Sequence, residues 1–540
     1  MALELITTNP NKCMGCNKCI AKCPVNANYA HFENGKNKVY VDFERCIHCG
    51  ECIRVCDHGA RSFADDTQRF FDDLASGVPI SIIAAPAIRH NFKNPAQVFG
   101  WLKHIGVRKI YDVSFGADIT TWAYLKAIRE KNLRSVISQP CPVVVSYIEM
   151  YRPELIPMLA PIHSPAMCEA IYLKEYDGIT DRIAFLSPCI AKSNEFSDSN
   201  TEGYISYNVT VDKLNEYIKE KQINLMEVAP AGFDDSPCAL GLTFSRPGGL
   251  RENVEYYAGS DVWIRQKEGI HELVEYFDTY RERANRGKEL PLLVDVLNCP
   301  NGCNMGTAAS SVHDVDQIDE KMNLLKREKI QKLDESSGKE LFAHFDSKLD
   351  LNHFVRKYMP RPVQLQKIDQ KTMDEIFATL GKDTEEKRSI NCFACGYGNC
   401  HDFANAVATG HNNVENCIHY ARTKLSSSRK EFDELFESLG GNVDALDCAT
   451  KKLRSSYNEM ENIFLQLRLL SINASIEAAH AGQHGAAFGV VAQEVQNLSA
   501  VATDTLSTLQ TDEVRMAQEL GALDEAINEM KDHMDRVFTS

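Results

Sequence analysis

The sequence predicts a multidomain chain of mixed α+β and α/β character that ends in an antiparallel coiled-coil helical hairpin. Three observations predict it. Eight cysteines fall in two evenly spaced runs between Cys13 and Cys56. Apolar β-like runs alternate with helical periods from about residue 76 to 310. Apolar residues then recur at three- and four-residue steps from Leu446 to Val537. At 540 residues the chain exceeds what one core can organise, so three or four domains are expected. A content of 44% apolar and 25% charged residues is ordinary for globular protein.

The formal charge of -16 argues against nucleic acid, which needs Lys/Arg surfaces to displace counterions. Small molecules, basic protein patches and electron carriers remain as partners. No apolar stretch approaches the roughly 20 residues of a membrane span. The opening MALELITTNPNKC has neither the charged nor the apolar region of a signal peptide. A cytoplasmic protein is therefore expected, and its 19 cysteines read as metal ligands rather than disulfides.

The first domain, 1–75, is short in apolar runs, so metal must hold it together. Cys13-x2-Cys16-x2-Cys19-x3-Cys23-Pro24 is followed by Cys46-x2-Cys49-x2-Cys52-x3-Cys56. Each run puts three thiolates on one loop, and the fourth corner of each cubane comes from the other run. This assigns Cys13, Cys16, Cys19 and Cys56 to one [4Fe–4S] cluster, and Cys46, Cys49, Cys52 and Cys23 to a second. A pair of zinc knuckles would leave the crossed cysteine and its proline without a reason. The segment resembles bacterial two-cluster ferredoxins, which implies a ferredoxin-like fold and outer-sphere electron relay.

The second domain is expected over 76–370. Its β-like runs are 80–84, 109–113, 183–186 and 292–297, and its helical periods include 96–104 and 211–220, hence α/β layers. Residues 311–390 are charged and helix-prone, broken by Pro360 and Pro362, and read as a tail and connector. Four motifs carry the chemistry: Phe115-Gly116-Ala117-Asp118, Gln139-Pro140-Cys141-Pro142, Ser187-Pro188-Cys189 with Lys192 and Glu195 following, and Cys299-Pro300-Asn301-Gly302-Cys303. Together they resemble the [FeFe]-hydrogenase catalytic domain, with its α/β fold around the H-cluster. The resemblance implies that Cys141, Cys189, Cys299 and Cys303 hold a [4Fe–4S] cubane. It also implies that Cys303 bridges to a two-iron subsite carrying CO, cyanide and an azadithiolate. Lys192 takes the place of the ammonium that binds one cyanide, and the Ala85-Pro86-Ala87 loop lies where the other is cradled. A buried lysine needs an anionic partner, and Glu195 and the cyanide are the candidates. The spacing of these four cysteines has no local signature of its own, so a plain structural cubane stays open.

The departures from the family pattern are as informative as the matches. Turnover enzymes of the family place a cysteine before the first ligand, where it passes protons to the bridging amine. Here that position is Pro140, which has neither a thiol nor an N–H. Ser187 and Leu297 stand where the family has methionines. Thr120-Thr121-Trp122-Ala123-Tyr124 replaces the stretch that supplies acids to the proton path. The glycine-rich follower reads Gly306-Thr307-Ala308-Ala309, and the pocket-wall segment 241–249 is also altered.

A small Cys-rich module follows, at 371–425. Cys392-x2-Cys395, Cys400 and, after an amphipathic stretch at 402–410, Cys417 supply four thiolates. The block resembles small [4Fe–4S] modules found beside hydrogenase-like domains. Zinc remains the alternative for these four ligands. The remaining cysteines, Cys168, Cys238 and Cys448, read as ordinary buried residues.

Over 426–540 the period is that of a coiled coil. One arm carries Leu446, Leu453, Met460 and Leu467, and the other carries Val491, Leu498, Leu509, Leu523 and Met530. Gly440-Gly441 is expected to break the helix upstream of the first arm, and Ala481–Gly485 to supply the reversal. The segments 469–482 and 485–495 resemble the signalling tip of methyl-accepting chemotaxis proteins. That resemblance implies a dimeric four-helix bundle and a docked signalling protein such as a kinase. At the tip, His480, Gln483 and Ala486 replace the usual basic, acidic and basic residues, and no glutamate pair for methylation is evident.

The sequence thus supports a cytoplasmic, homodimeric hydrogen or redox sensor. Its expected partners are H2 and protons, a redox carrier such as ferredoxin, and a signalling protein (kinase, phosphatase or similar). Nucleic acid and membrane are not among them. Two other readings stay open: a ferredoxin-linked catalytic hydrogenase, and an electron-transfer or assembly protein that lacks the two-iron subsite.

Overall fold

The computed structural model of the chain describes residues 3–539 apart from 34, 202, 235–237, 310–313, 334 and 365, and no side chains at 335–339 or 539. The chain separates into two compact units, 1–417 and 418–540. Among the described residues no helix is long and apolar enough to cross a membrane.

The first unit opens with strand Ile6–Thr8, which pairs antiparallel with Arg61–Phe63 and so ties the start of the chain to the end of the second cysteine run. A hairpin of Asn28–Glu33 and Lys36–Val41 lies between the two runs. Beyond it stands a four-stranded parallel sheet in the order Ile110–Asp112, Ile80–Ala84, Arg182–Ser187, Tyr207–Thr210. A second parallel sheet orders Ile264–Glu268, Leu293–Leu297 and Val136–Ile137. The first sheet's central strand reads Ile-Ser-Ile-Ile-Ala and is buried throughout, as a parallel strand covered on both faces must be. The helical periods form Pro95–His104 and Val211–Glu220.

One core gathers Ile82, Ile83, Phe185 and Tyr207 with Phe70, Phe71 and Trp101 from flanking helices. A second holds Val144, Tyr147, Phe277, Val294 and Val296, and takes in Val25, Ile47 and Cys49 from the cysteine runs. The N-terminal piece is therefore not a bead on a string but shares a core with the α/β layers. The tail also packs: Phe345 and Phe354 meet Trp122 edge-on, with ring centroids 6.0 and 6.1 Å away.

The second unit is a hairpin of helices Ile418–His480 and Ala486–Thr539, joined by a short 3-10 turn at Gly482–Gly485. The reversal falls in the expected segment. Gly482 adopts φ +55°, and a Cβ at Gly485 would sit 2.2 Å from Ala478 O, so both positions need glycine. Small residues line the seam between the arms, among them Ala478, Ala492 and Ser499, whose hydroxyl donates to Phe464 O at 2.9 Å.

Two expectations are corrected. Gly440-Gly441 does not break the helix, which runs unbroken through both. A mid-helix glycine costs about 1 kcal/mol, less than packing along a partner arm returns. Cys448 is exposed on the outer face of that helix, whereas Cys168 and Cys238 are buried as expected.

Candidate functional site

The middle-domain motifs sit where open α/β sheets place their sites, beyond the carboxyl ends of parallel strands. Ala85–Ala87 follows strand Ile80–Ala84, Pro140-Cys141 follows Val136–Ile137, Cys189 follows Arg182–Ser187, and Cys299 follows Leu293–Leu297. Four strand ends from two sheets thereby converge on one cavity of about 90 Å³. Its lining includes Pro86, Ala87, Pro140, Cys141, Cys189, Lys192, Cys299 and Cys303, whereas Glu195 and the Phe115–Asp118 motif do not reach it. Glu195 lies one layer behind, accepting from Lys192 Nζ at 2.5 Å.

The thiols crowd one another. Burial pushes Cys303 up to about 12, with Cys189 and Cys141 adding to it. Burial likewise lifts Cys189 to about 11. Cys299 lies well above the ordinary thiol range through burial and the proximity of Cys303, Cys189 and Cys141. Four thiolates this close cannot coexist without cationic charge among them. The donor set therefore fits an iron–sulfur group, whose metal deprotonates its thiols outright.

Lys192 is held from two sides, donating also to Ser164 Oγ at 3.0 Å. Glu195 in turn accepts from Arg356 Nη1 at 3.1 Å, and Arg356 Nη2 reaches Asp198 at 3.0 Å. Burial alone would raise the Glu195 carboxyl, but Lys192 and Arg356 hold it below the usual carboxylate value. Arg356 belongs to the tail, and no motif pointed to it.

The polar side chains at the replaced positions are engaged in hydrogen bonds. The Thr120 and Thr121 hydroxyls donate to Gly116 O and Ala117 O of their own helix, at 2.9 and 3.0 Å. Trp122 Nε1 donates to Asp346 at 3.0 Å, and the Tyr124 hydroxyl to Gln139 Oε1. Ser187 Oγ is taken up by its own loop, accepting from Cys189 N at 3.0 Å. Thr307 accepts from Ile190 N at 3.0 Å, and a Cβ on Gly50 would collide with it at 2.7 Å. The altered follower is thus the surface on which the second cysteine run docks.

A second cavity is lined by Cys23, Cys46, Cys49 and Cys52, the crossed set expected from the two runs. Burial raises Cys46 to about 12, and Cys23 contributes. Cys13 and Cys16 lie close enough to Cys19 to raise it further, behind burial as the larger cause. Lys18 pairs with Asp57, bringing the neighbour of Cys56 to the first run. Buried Arg61 reaches Cys19 Sγ at 3.7 Å, after Thr8, Asn28 and Tyr40 have taken its nearer bonds.

Asn298 links the two cavities and was not legible as a site residue. Its Nδ2 donates to Cys49 O at 3.1 Å and reaches Cys299 Sγ at 3.6 Å. The fourth group, Cys392, Cys395, Cys400 and Cys417, also docks on the N-terminal piece. Asn17 Nδ2 donates to Asn416 Oδ1 at 2.7 Å, Ala30 N donates to His411 O at 2.9 Å, and a Cβ on Gly396 would meet Asn17 O at 2.9 Å. Burial lifts Cys395 to about 11, with Cys417 and Cys392 adding to it. Burial pushes the Tyr397 hydroxyl up to about 12, and the Cys395 and Cys23 thiols add to it. Among the described residues no three His, Cys, Asp or Glu side chains close to single-ion spacing.

Four family models match the chain. They are the iron only hydrogenase large subunit, C-terminal domain, at 78–307; the 4Fe-4S dicluster domain at 12–60; an Fe-S cluster family at 389–419; and the methyl-accepting chemotaxis protein (MCP) signalling domain at 410–538. Iron hydrogenase 1 of Clostridium pasteurianum is 25% identical over 46% of this chain and 50% of its own length. The methyl-accepting chemotaxis protein PctB of Pseudomonas aeruginosa is 36% identical over 17% of this chain and 14% of its own. The chain thus spans half or less of these two relatives. A solved [FeFe]-hydrogenase from Chlamydomonas reinhardtii aligns at 17% identity with a TM-score of 0.43, covering 56% of this chain and 100% of that one.

Proposed function

We propose that this chain, in which an iron-only hydrogenase domain and iron–sulfur domains are joined to an MCP signalling domain, is a cytoplasmic hydrogen or redox sensor. The observation that carries the reading is the wall of the middle cavity. It has the cysteines and the Lys192 ammonium of a site that binds the group, and Pro140 where a proton donor would stand. A bound two-iron subsite with CO, cyanide and azadithiolate ligands would supply the hydrogen chemistry. Cys141, Cys189, Cys299 and Cys303 would hold the cubane, Cys303 would also hold that subsite, Pro86 and Ala87 would line the cyanide cradle, and Lys192, fixed by Glu195 and Ser164, would present its N–H donors. Proton delivery contributes typically 10²–10⁴-fold in enzymes that have it. Its loss leaves hydrogen binding intact and slows turnover, which suits a protein that must report a ligand without consuming it.

The redox state would then pass by way of Asn298 toward the Cys23, Cys46, Cys49 and Cys52 centre, and past Tyr397 toward the Cys392–Cys417 centre. Cys13, Cys16, Cys19 and Cys56 would hold the remaining cluster, on the side of the chain where a carrier such as ferredoxin would supply or take electrons. The hairpin, paired as a homodimer, presents the state to a signalling protein, a kinase or phosphatase. Infrared spectroscopy on anaerobically matured protein tests the reading together with a hydrogen-uptake assay. Bands of bound CO and cyanide with slow uptake are expected. Absent bands would leave an electron-transfer or assembly protein, and fast uptake a catalytic hydrogenase.

A further inference from the structure

Lys382 is a buried lysine that no carboxylate among the described residues answers. It closes the turn after helix Gln370–Thr379, its backbone N–H donating to Phe377 O at 2.8 Å. The residue is only 3% exposed. Its ammonium meets Cys400 Sγ at 3.0 Å and Lys387 O at 3.2 Å, and among the described residues no carboxylate accepts from it. The acids nearby are engaged elsewhere, Asp383 with Lys387 and Asp374 with Arg388. Burying an ammonium is costly unless an anion lies against it. The group in reach that becomes an anion is the Cys400 sulfur, on ligation to iron. Arg61 differs, because neutral oxygens take its short bonds. Lys192 differs too, because Glu195 answers it.

We propose that Lys382 is a positioning residue that sets the reduction potential of the Cys392, Cys395, Cys400 and Cys417 centre. Its N–H donates to the Cys400 thiolate, and its charge offsets the negative charge that the centre gains on reduction, so the reduced state is favoured. Lys382 precedes the segment matched by the Fe-S cluster family, so the connector rather than the cysteine loop sets this potential. The inference rests on the reading that these four cysteines hold a [4Fe–4S] cluster.

The experiment uses the full chain, reconstituted anaerobically, with iron analysis and a potentiometric titration followed by electron paramagnetic resonance. The signal of this centre is the one that Cys392→Ala abolishes. In Lys382→Met that signal should move to more negative potential. At a fixed potential the reduced-to-oxidised ratio should fall about tenfold, equivalent to ~59 mV for a one-electron couple. Lys382→Arg, which keeps the charge and the donor, should stay close to the unaltered protein. Loss of the cluster in Lys382→Met but not in Lys382→Arg would also support the charge. A fully loaded Lys382→Met with an unchanged potential overturns the proposal, as does loss of the cluster in both variants, which would make the side chain mere packing. Zinc in place of iron at these cysteines in the unaltered protein overturns the cluster reading itself, and is seen by metal analysis before any variant is made.

Discussion

At Pro140 the cavity wall has neither a thiol nor an N–H beside Cys141, and on the helix Val113–Glu130 the Thr120 and Thr121 hydroxyls donate to their own backbone. Pro140→Cys is expected to raise hydrogen turnover between tenfold and about 10²-fold. This falls short of the top of the general-acid range because the rest of the path stays blocked. A gas-uptake assay on matured protein checks it; a turnover already typical of enzymes before the substitution would remove the main support for a sensor. Arg356 is a second residue whose weight is clear. It is 4% exposed and bonded to two carboxylates, one of them the Glu195 that orients Lys192. Breaking a buried pair from one side leaves an uncompensated charge, so Arg356→Met should destabilise the first unit by about 3 kcal/mol. Glu195 titrates below its ordinary value of 4.5 in the fold, so its contribution is present above that value and lost as pH falls through the depressed one. The variant should therefore unfold at a higher pH on acidification, read by circular dichroism.

The long first helix of the hairpin carries two glycines with open space around them, since a Cβ on Gly440 or Gly441 finds nothing within 4 Å. Replacing both with alanine should stabilise the hairpin by up to about 1 kcal/mol each, seen as a higher melting temperature. A lower one would mean that the glycines serve a bend the helix must make. The same element shows why a single hairpin is incomplete. Leu453 is 41% exposed, Leu498 69% and Leu523 48%, all on the apolar stripe that the heptads predicted. Burying apolar surface is worth roughly 25 cal/mol per Å², and pairing two hairpins into four helices covers such a stripe. Leu498→Glu with Leu523→Glu is expected to give a monomer by light scattering.

For the whole molecule, removing residues 430–540 is expected to leave a monomer that keeps its clusters, because the exposed apolar stripe goes with the hairpin. A truncated protein that stays dimeric would move the interface into the first unit and leave the hairpin as a docking arm. The cysteine groups predict about 16 iron atoms per chain from four cubanes, and more once the two-iron subsite is matured. Iron and acid-labile sulfide analysis after anaerobic reconstitution checks the count. A value near half of it would limit the clusters to the two cysteine runs at the start of the chain.

Short-range chemistry is what the sequence by itself determined. The two cysteine runs needed only their spacing, and Cys23 lies in one cavity with Cys46, Cys49 and Cys52 of the other run. The hairpin needed only a heptad and a pair of glycines at Gly482 and Gly485, because helix period and turn conformation are local properties. The β-like runs that became the parallel strands were legible for the same reason. Tertiary structure alone decided what depends on surfaces meeting. Cys141, Cys189, Cys299 and Cys303 are too far apart in sequence to carry a spacing signal, and only the convergence of strand ends from two sheets brings them to one cavity. Asn298 and Arg356 act through partners 249 and 161 residues away, and Tyr397 and Lys382 likewise act outside any motif, so no local pattern marks them. The continuous helix through Gly440-Gly441 belongs here too: intrinsic propensity favoured a break, and packing along the second arm outweighed it.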